Sequence, residues 1–258
     1  MSGQELQTIY DEMGAAIDLS KCQKCGCLRE TIDQLTATLP FIDSAEASAL
    51  LERVKLWTGQ IQPAQYACLG CTHCYPAVAQ NAFSAAFPGA SLLPLACDFQ
   101  VSNASWPSVV GEYSVVDANA HVAISTLGSS GLTEELAKRQ PKGLAIAGKT
   151  ETENIGIDKV VKNIISNPAI QYLILAGKDP AGHWSGQTLL ALSENGIDAN
   201  GRVIGSTGKR PILRNVTAAQ VELFRKQVEV VDLRGIENAD EIAAHVEALA
   251  PQESTPCG

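Results

Sequence analysis

Seven cysteines crowd into the first hundred residues: Cys22, Cys25 and Cys27 in "CQKCGC", Cys68, Cys71 and Cys74 in "CLGCTHCYP", and Cys97, while Cys257 stands beside the C-terminus. In a chain without a secretion signal, such clusters point to metal rather than to disulfides. "CLGCTHCYP" has the C-x2-C-x2-C opening of a ferredoxin-type run, and Cys22, Cys25 or Cys27 offers the fourth thiolate of a [4Fe–4S] cluster. Structural zinc is the alternative, since four thiolates, or three and an imidazole, satisfy it equally, and His73 inside the run offers that imidazole. A different chemistry is offered far downstream. "AGKDPAGHWSGQ", Ala176–Gln187, follows the apolar run "IQYLIL" and precedes the helical pattern "TLLALSENG". His183 therefore belongs to a loop leaving the C-terminal end of a buried strand, where open α/β sheets bind ligands.

The elements that must position these groups follow from periodicity. Apolar residues at spacings of three and four predict helices over "ELQTIYDEMGAAI", "LRETIDQLTATL" and "SAEASALLERVKLWTGQI", with "PAVAQNAFSAAF" as a fourth. Asp43 and Ser44 ahead of Glu46 supply a helix start signal. The proline-rich, polar stretch from Pro88 to Pro107 reads as a linker. Beyond it, the β-rich runs "VAISTL", "GLAIAG", "IQYLIL", "RVIG" and "VEVVDL" each lead to a helical segment, the pattern of βαβ crossovers. The expected fold is α/β: a Rossmann-like parallel sheet with helices on both faces, preceded by a smaller, mainly helical metal-binding domain. The boundaries are residues 1–100 for the cysteine-rich domain and 101–258 for the other, whose sheet starts from about Trp106. In the helix after Gly156, Ile157, Val160, Val161, Ile164 and Ile165 mark the buried face, and Asp158, Lys159 and Lys162 the opposite one.

Composition removes several function classes. A hydrophobic content of 45% in 258 residues fills a real core, so the chain is globular. A formal charge of -9 argues against nucleic-acid or anionic-membrane partners. No apolar run approaches the roughly 20 residues that span a bilayer, and the start "MSGQELQTIYDEMG" has no signal-peptide pattern, so no membrane anchor is expected and the chain reads as cytoplasmic. On that reading the acceptor patterns at Asn103 and Asn215 are chance. No G-x-G-x-x-G or Walker A loop follows a strand, which weighs against dinucleotide or nucleoside-triphosphate binding. His121 and His245 carry no motif and read as ordinary surface or core histidines.

"STLGS", "AGKTETENIGI", "NPAIQYLIL", "AGHWSGQ", "NGID" and "RVIGSTGKRPILRNV" resemble the cobamide-binding A-subunit family of tetrahydromethanopterin S-methyltransferase, over residues of about 106 to 227. The resemblance implies a Rossmann-like domain holding cobalamin or a related corrinoid at the C-terminal edge of its sheet, with His183 as the lower axial cobalt ligand. A trans imidazole suits cobalt(III) and is released from cobalt(I), so a ligand on a glycine-flanked loop can follow the change of state. Thr126, Gly128, Thr150, Glu153, Asn154, Gly156, Gly177, Gly182, Gly186, Gln187, Gly205 and Gly208 fall at strand ends and match family words. Among them Gly177, Gly182 and Gly186 would let the backbone approach a flat macrocycle. Better-known cobalamin modules carry Asp-x-His-x-x-Gly, whereas Ala181 stands at the aspartate position here, leaving Asp179, a water or a backbone carbonyl to orient the ring.

The implied function is a corrinoid protein carrying a methyl group in a methyltransferase system. Its partners are a methyl donor and acceptor, including tetrahydropterin- or folate-linked ones, and an electron donor. The cysteine-rich extension, without counterpart in that family, would hold an iron–sulfur site that reductively reactivates cobalt. The competing reading is a non-catalytic zinc or iron–sulfur carrier or redox module with a nucleotide-like ligand on the α/β domain. Colour separates the two, since a corrinoid absorbs visible light and a zinc–nucleotide protein does not.

Overall fold

A computed structural model describes residues 3–71, 73–90, 92–93, 95 and 105–249. Cys97, Asn103, Cys257 and much of the expected linker lie outside these residues. The chain divides into two compact units, one of residues 1–68 and 73–99, the other of residues 69–72 and 100–258.

The first unit is helical. It contains α1 (Gly3–Asp18), the short α2 (Ser20–Gln23), α3 (Gly26–Thr38), a 3-10 turn (Leu39–Phe41), α4 (Ala45–Thr58) and α5 (Tyr75–Ala86). In α1 the buried residues Ile9, Met13, Ala16 and Ile17 recur at helical spacing and form one stripe. They join Leu28, Ile32, Leu50, Trp57 and Phe83 in a single apolar core, where each fully buried aliphatic side chain contributes about 1.5–3 kcal/mol. Ser44 caps α4 by accepting from the Ala47 amide at 3.1 Å, as its position before Glu46 predicts.

The second unit is a mixed α/β structure. Its strands are β1 (Tyr113–Val115), β2 (Val122–Ser125), β3 (Leu144–Gly148), β4 (Tyr172–Gly177) and β5 (Glu229–Arg234), and its helices α6 (Leu132–Arg139), α7 (Ile155–Ile165), α8 (Ser185–Asn195), α9 (Ala218–Gln227) and α10 (Ala239–Leu249). The strand order is β1-β3-β2-β4-β5. β2 through β5 run parallel, and β1 joins β3 antiparallel, an edge strand that the pattern of apolar runs does not reveal. Alternation along the central strands feeds two cores. Ala123, Leu173 and Leu175 pack with residues of α7, α8 and α9, while Val122, Ile124, Ile174 and Ala176 pack with α6 and α10.

Two sequence expectations need correction. "RVIG", residues 202–205, is not a sheet strand: Arg202 and Val203 form only isolated bridges, to Ile212 and Ile197. Gly201 and Gly205, both at positive φ, bracket this stretch and turn it into a loop. The supposed polar face of α7 is also wrong, because Asp158 and Lys159 are buried. Asp158 Oδ2 accepts from the Asn215 side chain at 2.8 Å, and Lys159 Nζ donates to the Val110 carbonyl at 2.9 Å. Neighbouring loops therefore cover the side of α7 that periodicity assigns to solvent.

Candidate functional site

The strand order reverses between β2 and β4, so the loops leaving their C-terminal ends flank the crevice where open α/β sheets bind ligands. The loop after β4 carries His183. It is drawn into a tight turn by the His183 and Trp184 amides, which both donate to the Pro180 carbonyl. Asp179 holds the far end: its carboxylate accepts the Gly186 and Gln187 amides at 2.8 Å each, satisfying first-turn donors of α8. This task removes Asp179 as the partner of the imidazole.

That partner is Glu153, from the loop between β3 and α7. Its Oε2 lies 2.6 Å from His183 Nδ1, and its Oε1 accepts the Arg210 amide at 2.7 Å. Glu153 is 1% exposed, so the carboxylate is buried with both oxygens engaged. A carboxylate acceptor fixes the tautomer in which Nδ1 carries the hydrogen and Nε2 the lone pair. The His183 side chain is 27% exposed, and no described residue hydrogen-bonds its Nε2. The sequence placed Glu153 among the lining residues without assigning it this role, because the contact joins residues 30 positions apart.

The other expected residues separate into distinct places. Gln187 ties α8 to the loop ahead of Arg210, donating to the Gly205 carbonyl at 3.1 Å and accepting the Thr207 amide at 2.9 Å. Gly208 lies against the histidine loop, where an added Cβ would stand 2.6 Å from the His183 carbonyl and 2.8 Å from Glu153 Cγ. Asn154 caps α7 through its own side chain. Thr126 is buried, with its hydroxyl 2.7 Å from that of Thr133. Thr150 and Gly156 line a separate apolar recess with Tyr113, Ser125 and Gly148.

Gly177 and Gly186 are also required by the chain's own packing. A Cβ on Gly177 would meet Ser129 Oγ at 2.6 Å, and one on Gly186 would meet Arg234 Cδ and Leu127 Cδ1 at 2.8 Å. Close approach of the protein's own atoms therefore requires glycine at both positions. Gly128, in contrast, joins Lys178, Pro180, Trp184, Gln187 and Arg234 around an open recess at the sheet edge. Gly182 lies on the turn between Pro180 and His183, at φ +82° with Lys209 Cε 3.3 Å from where a Cβ would be.

The cysteines are brought together in a set the sequence did not predict. The Cys25 and Cys27 thiols both donate to the Ala67 carbonyl, at 3.7 and 3.4 Å. The neighbouring thiols, Cys25 first, push Cys27 far up from its ordinary value, whereas Cys27 outweighs burial and brings Cys25 down to about 7. The bond from Cys27 likewise lowers Cys74 against the effect of its burial. Cys22 is buried in α2, and Cys71 falls in the segment 69–72 that belongs to the α/β unit. His73 is half-exposed and paired with Glu12 at 2.7 Å. Among the described residues, no group of three or more His, Cys, Asp or Glu side chains stands ready to hold a metal ion, so the expected Cys68–Cys71–Cys74 arrangement is not found.

Among the described residues, no helix is long and apolar enough to cross a membrane. The family model for the A subunit of tetrahydromethanopterin S-methyltransferase matches residues 100–257. One A subunit of that enzyme from Methanothermobacter thermautotrophicus, the form numbered 2, is 43% identical over 150 residues, 58% of this chain and 80% of the relative. The A subunit from Methanocaldococcus jannaschii is 49% identical over 138 residues, 53% of this chain and 56% of the relative. With a family match over more than half its length, and the His183–Glu153 pair inside the matched region, the chain belongs to the A-subunit family of tetrahydromethanopterin S-methyltransferase.

Proposed function

We propose that this chain is a corrinoid protein that carries a methyl group in a methyltransferase system, with His183 as the residue that would hold the cobalt. The observation that carries the reading is the buried Glu153 holding His183 Nδ1 at 2.6 Å, which orients Nε2 as a donor at the C-terminal edge of the sheet. Metal-ligating histidines normally give their other ring nitrogen to such a partner. On the same loop a recess is lined by Gly128, the exposed Trp184 indole, Lys178, Gln187 and Arg234, with His183 outside its lining.

A bound corrinoid would supply a cobalt centre able to accept and release a methyl group. The chain's own residues would do the rest. Glu153 would hold the hydrogen on Nδ1 and leave the Nε2 lone pair directed outward for a metal. The loop of residues 205–210, linked to Gln187 and Glu153, would hold the histidine turn at one depth. The names of the relatives point to a tetrahydropterin as the methyl-carrying partner, and a folate-type donor has the same chemistry.

Anaerobic reconstitution of the full chain with hydroxocobalamin, followed by gel filtration, tests this. The expected result is close to one corrinoid retained per chain. A folded chain that retains none would overturn the reading.

A further inference from the structure

Gly208 is a glycine for which the backbone supplies no reason. Gly182 on the histidine turn and Gly205 on the same loop as Gly208 both sit at φ +82°, a conformation that favours glycine, but Gly208 does not lie at positive φ. An alanine with the same backbone would restrict the unfolded chain and stabilise the fold by about 0.4–1 kcal/mol. What forbids it is space. The Cβ would stand 2.6 Å from the His183 carbonyl oxygen, 2.8 Å from Glu153 Cγ and 3.0 Å from Glu153 Cβ, so it would enter between the two residues whose side chains meet at 2.6 Å.

Neither the loop, nor the histidine turn, nor Glu153 can step back cheaply. The Gly208 amide donates to Ser206 Oγ at 3.1 Å and the Thr207 amide to Gln187 Oε1 at 2.9 Å, while Ser206 Oγ lies 2.7 Å from Thr188 Oγ1 on α8. On the other side, the Arg210 amide is held by Glu153 Oε1 and the Asn215 side chain by Asp158 of α7. Between these ties the Val203 and Leu213 amides donate to the Pro211 and Gly201 carbonyls, which folds the segment on itself. The His183 carbonyl belongs to a turn closed by two amides on the Pro180 carbonyl, just ahead of Ser185, whose hydroxyl donates to the Thr150 carbonyl. Glu153 is buried with both oxygens engaged, so it is no flexible end. Close packing of this kind transmits a displacement instead of absorbing it.

We infer that Gly208 is a positioning residue: the absence of its side chain sets how closely Glu153 and the His183 turn approach, and hence where His183 Nε2 points. Gly208 thus stands behind the histidine rather than against the cofactor. The consequence at cobalt rests on the corrinoid reading, whereas the contact among Gly208, His183 and Glu153 concerns the chain's own residues alone.

The corrinoid-free full chain provides the test, by nuclear magnetic resonance with labelled histidine, glycine and glutamate. In wild type the His183 Nδ1 hydrogen should resonate far downfield, as one shared with a buried carboxylate does, and the Gly208 Hα hydrogens should cross-relax with those on Glu153 Cγ. In Gly208→Ala the Nδ1 resonance should move upfield and its exchange with water quicken about tenfold, the equivalent of weakening one hydrogen bond to a charged group. Gly196→Ala, at φ +70° beyond the end of α8, controls for a general loss of stability and should leave that resonance in place. A folded Gly208→Ala chain with an unaltered Nδ1 resonance, or a Gly196→Ala chain altered to the same degree, would overturn the assignment. If Gly208→Ala does not fold, the wild-type cross-peaks decide: their presence supports the contact and their absence overturns it. Hydroxocobalamin retention is measured separately on the same proteins. A roughly tenfold loss in Gly208→Ala against a loaded wild type carries the effect to the cofactor, and unchanged retention beside an altered resonance would overturn the positioning role. A wild type that retains none defeats the corrinoid reading and leaves the resonance result standing.

Discussion

The α/β unit holds its imidazole with side chains, and the helical unit holds its thiols with backbone. His183 is oriented by a glutamate from one loop and steadied by an aspartate within its own, and both carboxylates also bind amides that shape neighbouring turns. Cys25 and Cys27 are instead set by the Gly26 and Cys27 amides at the start of α3, which donate to the Tyr66 and Ala67 carbonyls. A sheet edge gives every loop a common direction, so one long-range side-chain contact completes a site. A helical bundle supplies no such edge, and its loops must be joined to each other before their side chains converge.

The largest effect expected from breaking either frame is in the cores. Leu50, fully buried among α1, α3, α4 and α5 residues, should cost about 2–5 kcal/mol on replacement by alanine. Its core is separate from those around the sheet, so thermal unfolding of the Leu50→Ala chain should show the loss in the helical unit and leave the corrinoid content unchanged. A parallel loss of corrinoid would break the distinction between the units.

Glu153→Gln sharpens the comparison at the site itself. The amide keeps the shape, but it presents a donor to either the His183 Nδ1 hydrogen or the Arg210 amide, each now served by an oxygen. Corrinoid affinity or methyl-transfer rate should fall roughly 10–100-fold, the range for partners of metal ligands. An equilibrium titration with hydroxocobalamin measures the first. Asp179→Asn should do less: it weakens the hold on the Gly186 and Gln187 amides at the start of α8, about 1 kcal/mol of stability, with Nε2 still oriented by Glu153. Chemical denaturation should register that change and the corrinoid titration very little.

The smallest effect lies at Asp158. Burial raises its carboxyl above the ordinary value, partly opposed by hydrogen bonds from Asn215 and Arg214, and its Oδ1 is buried without a partner. The folded state therefore holds this proton more tightly than the unfolded chain. The associated stability is present below the unfolded value and is lost as pH rises through the raised folded value. Asp158→Asn keeps an oxygen for Asn215 and removes the titration, so its melting temperature should vary less with pH across that window. A pH dependence identical to wild type would show that Asp158 does not contribute.

Much of this was legible in the sequence because it was local. The helices α1, α3, α4 and α5 follow from apolar spacing, and the strands β2 to β5 from short apolar runs. His183 could be located because a strand, a loop and a helix announce a sheet edge. What was not legible depends on contacts between distant residues. Glu153 looked like one polar residue among several in "KTETENIGI" until the fold set it against His183. Asp158 and Lys159 matched a solvent face because periodicity cannot see the loops that cover it. The cysteine spacing suggested a compact ferredoxin-like run, and the pairing of Cys25–Cys27 with Tyr66–Ala67 regrouped the thiols.

The most direct test of the central claim is electron paramagnetic resonance of the cobalt(II) form of the reconstituted full-length protein. Wild-type protein and protein labelled with heavy nitrogen in its histidines are compared with His183→Ala. The account predicts cobalt lines split by one axial nitrogen, a splitting that changes from a triplet to a doublet on histidine labelling and disappears in His183→Ala. Wild-type lines without histidine nitrogen splitting, or a His183→Ala spectrum identical to wild type, would contradict it.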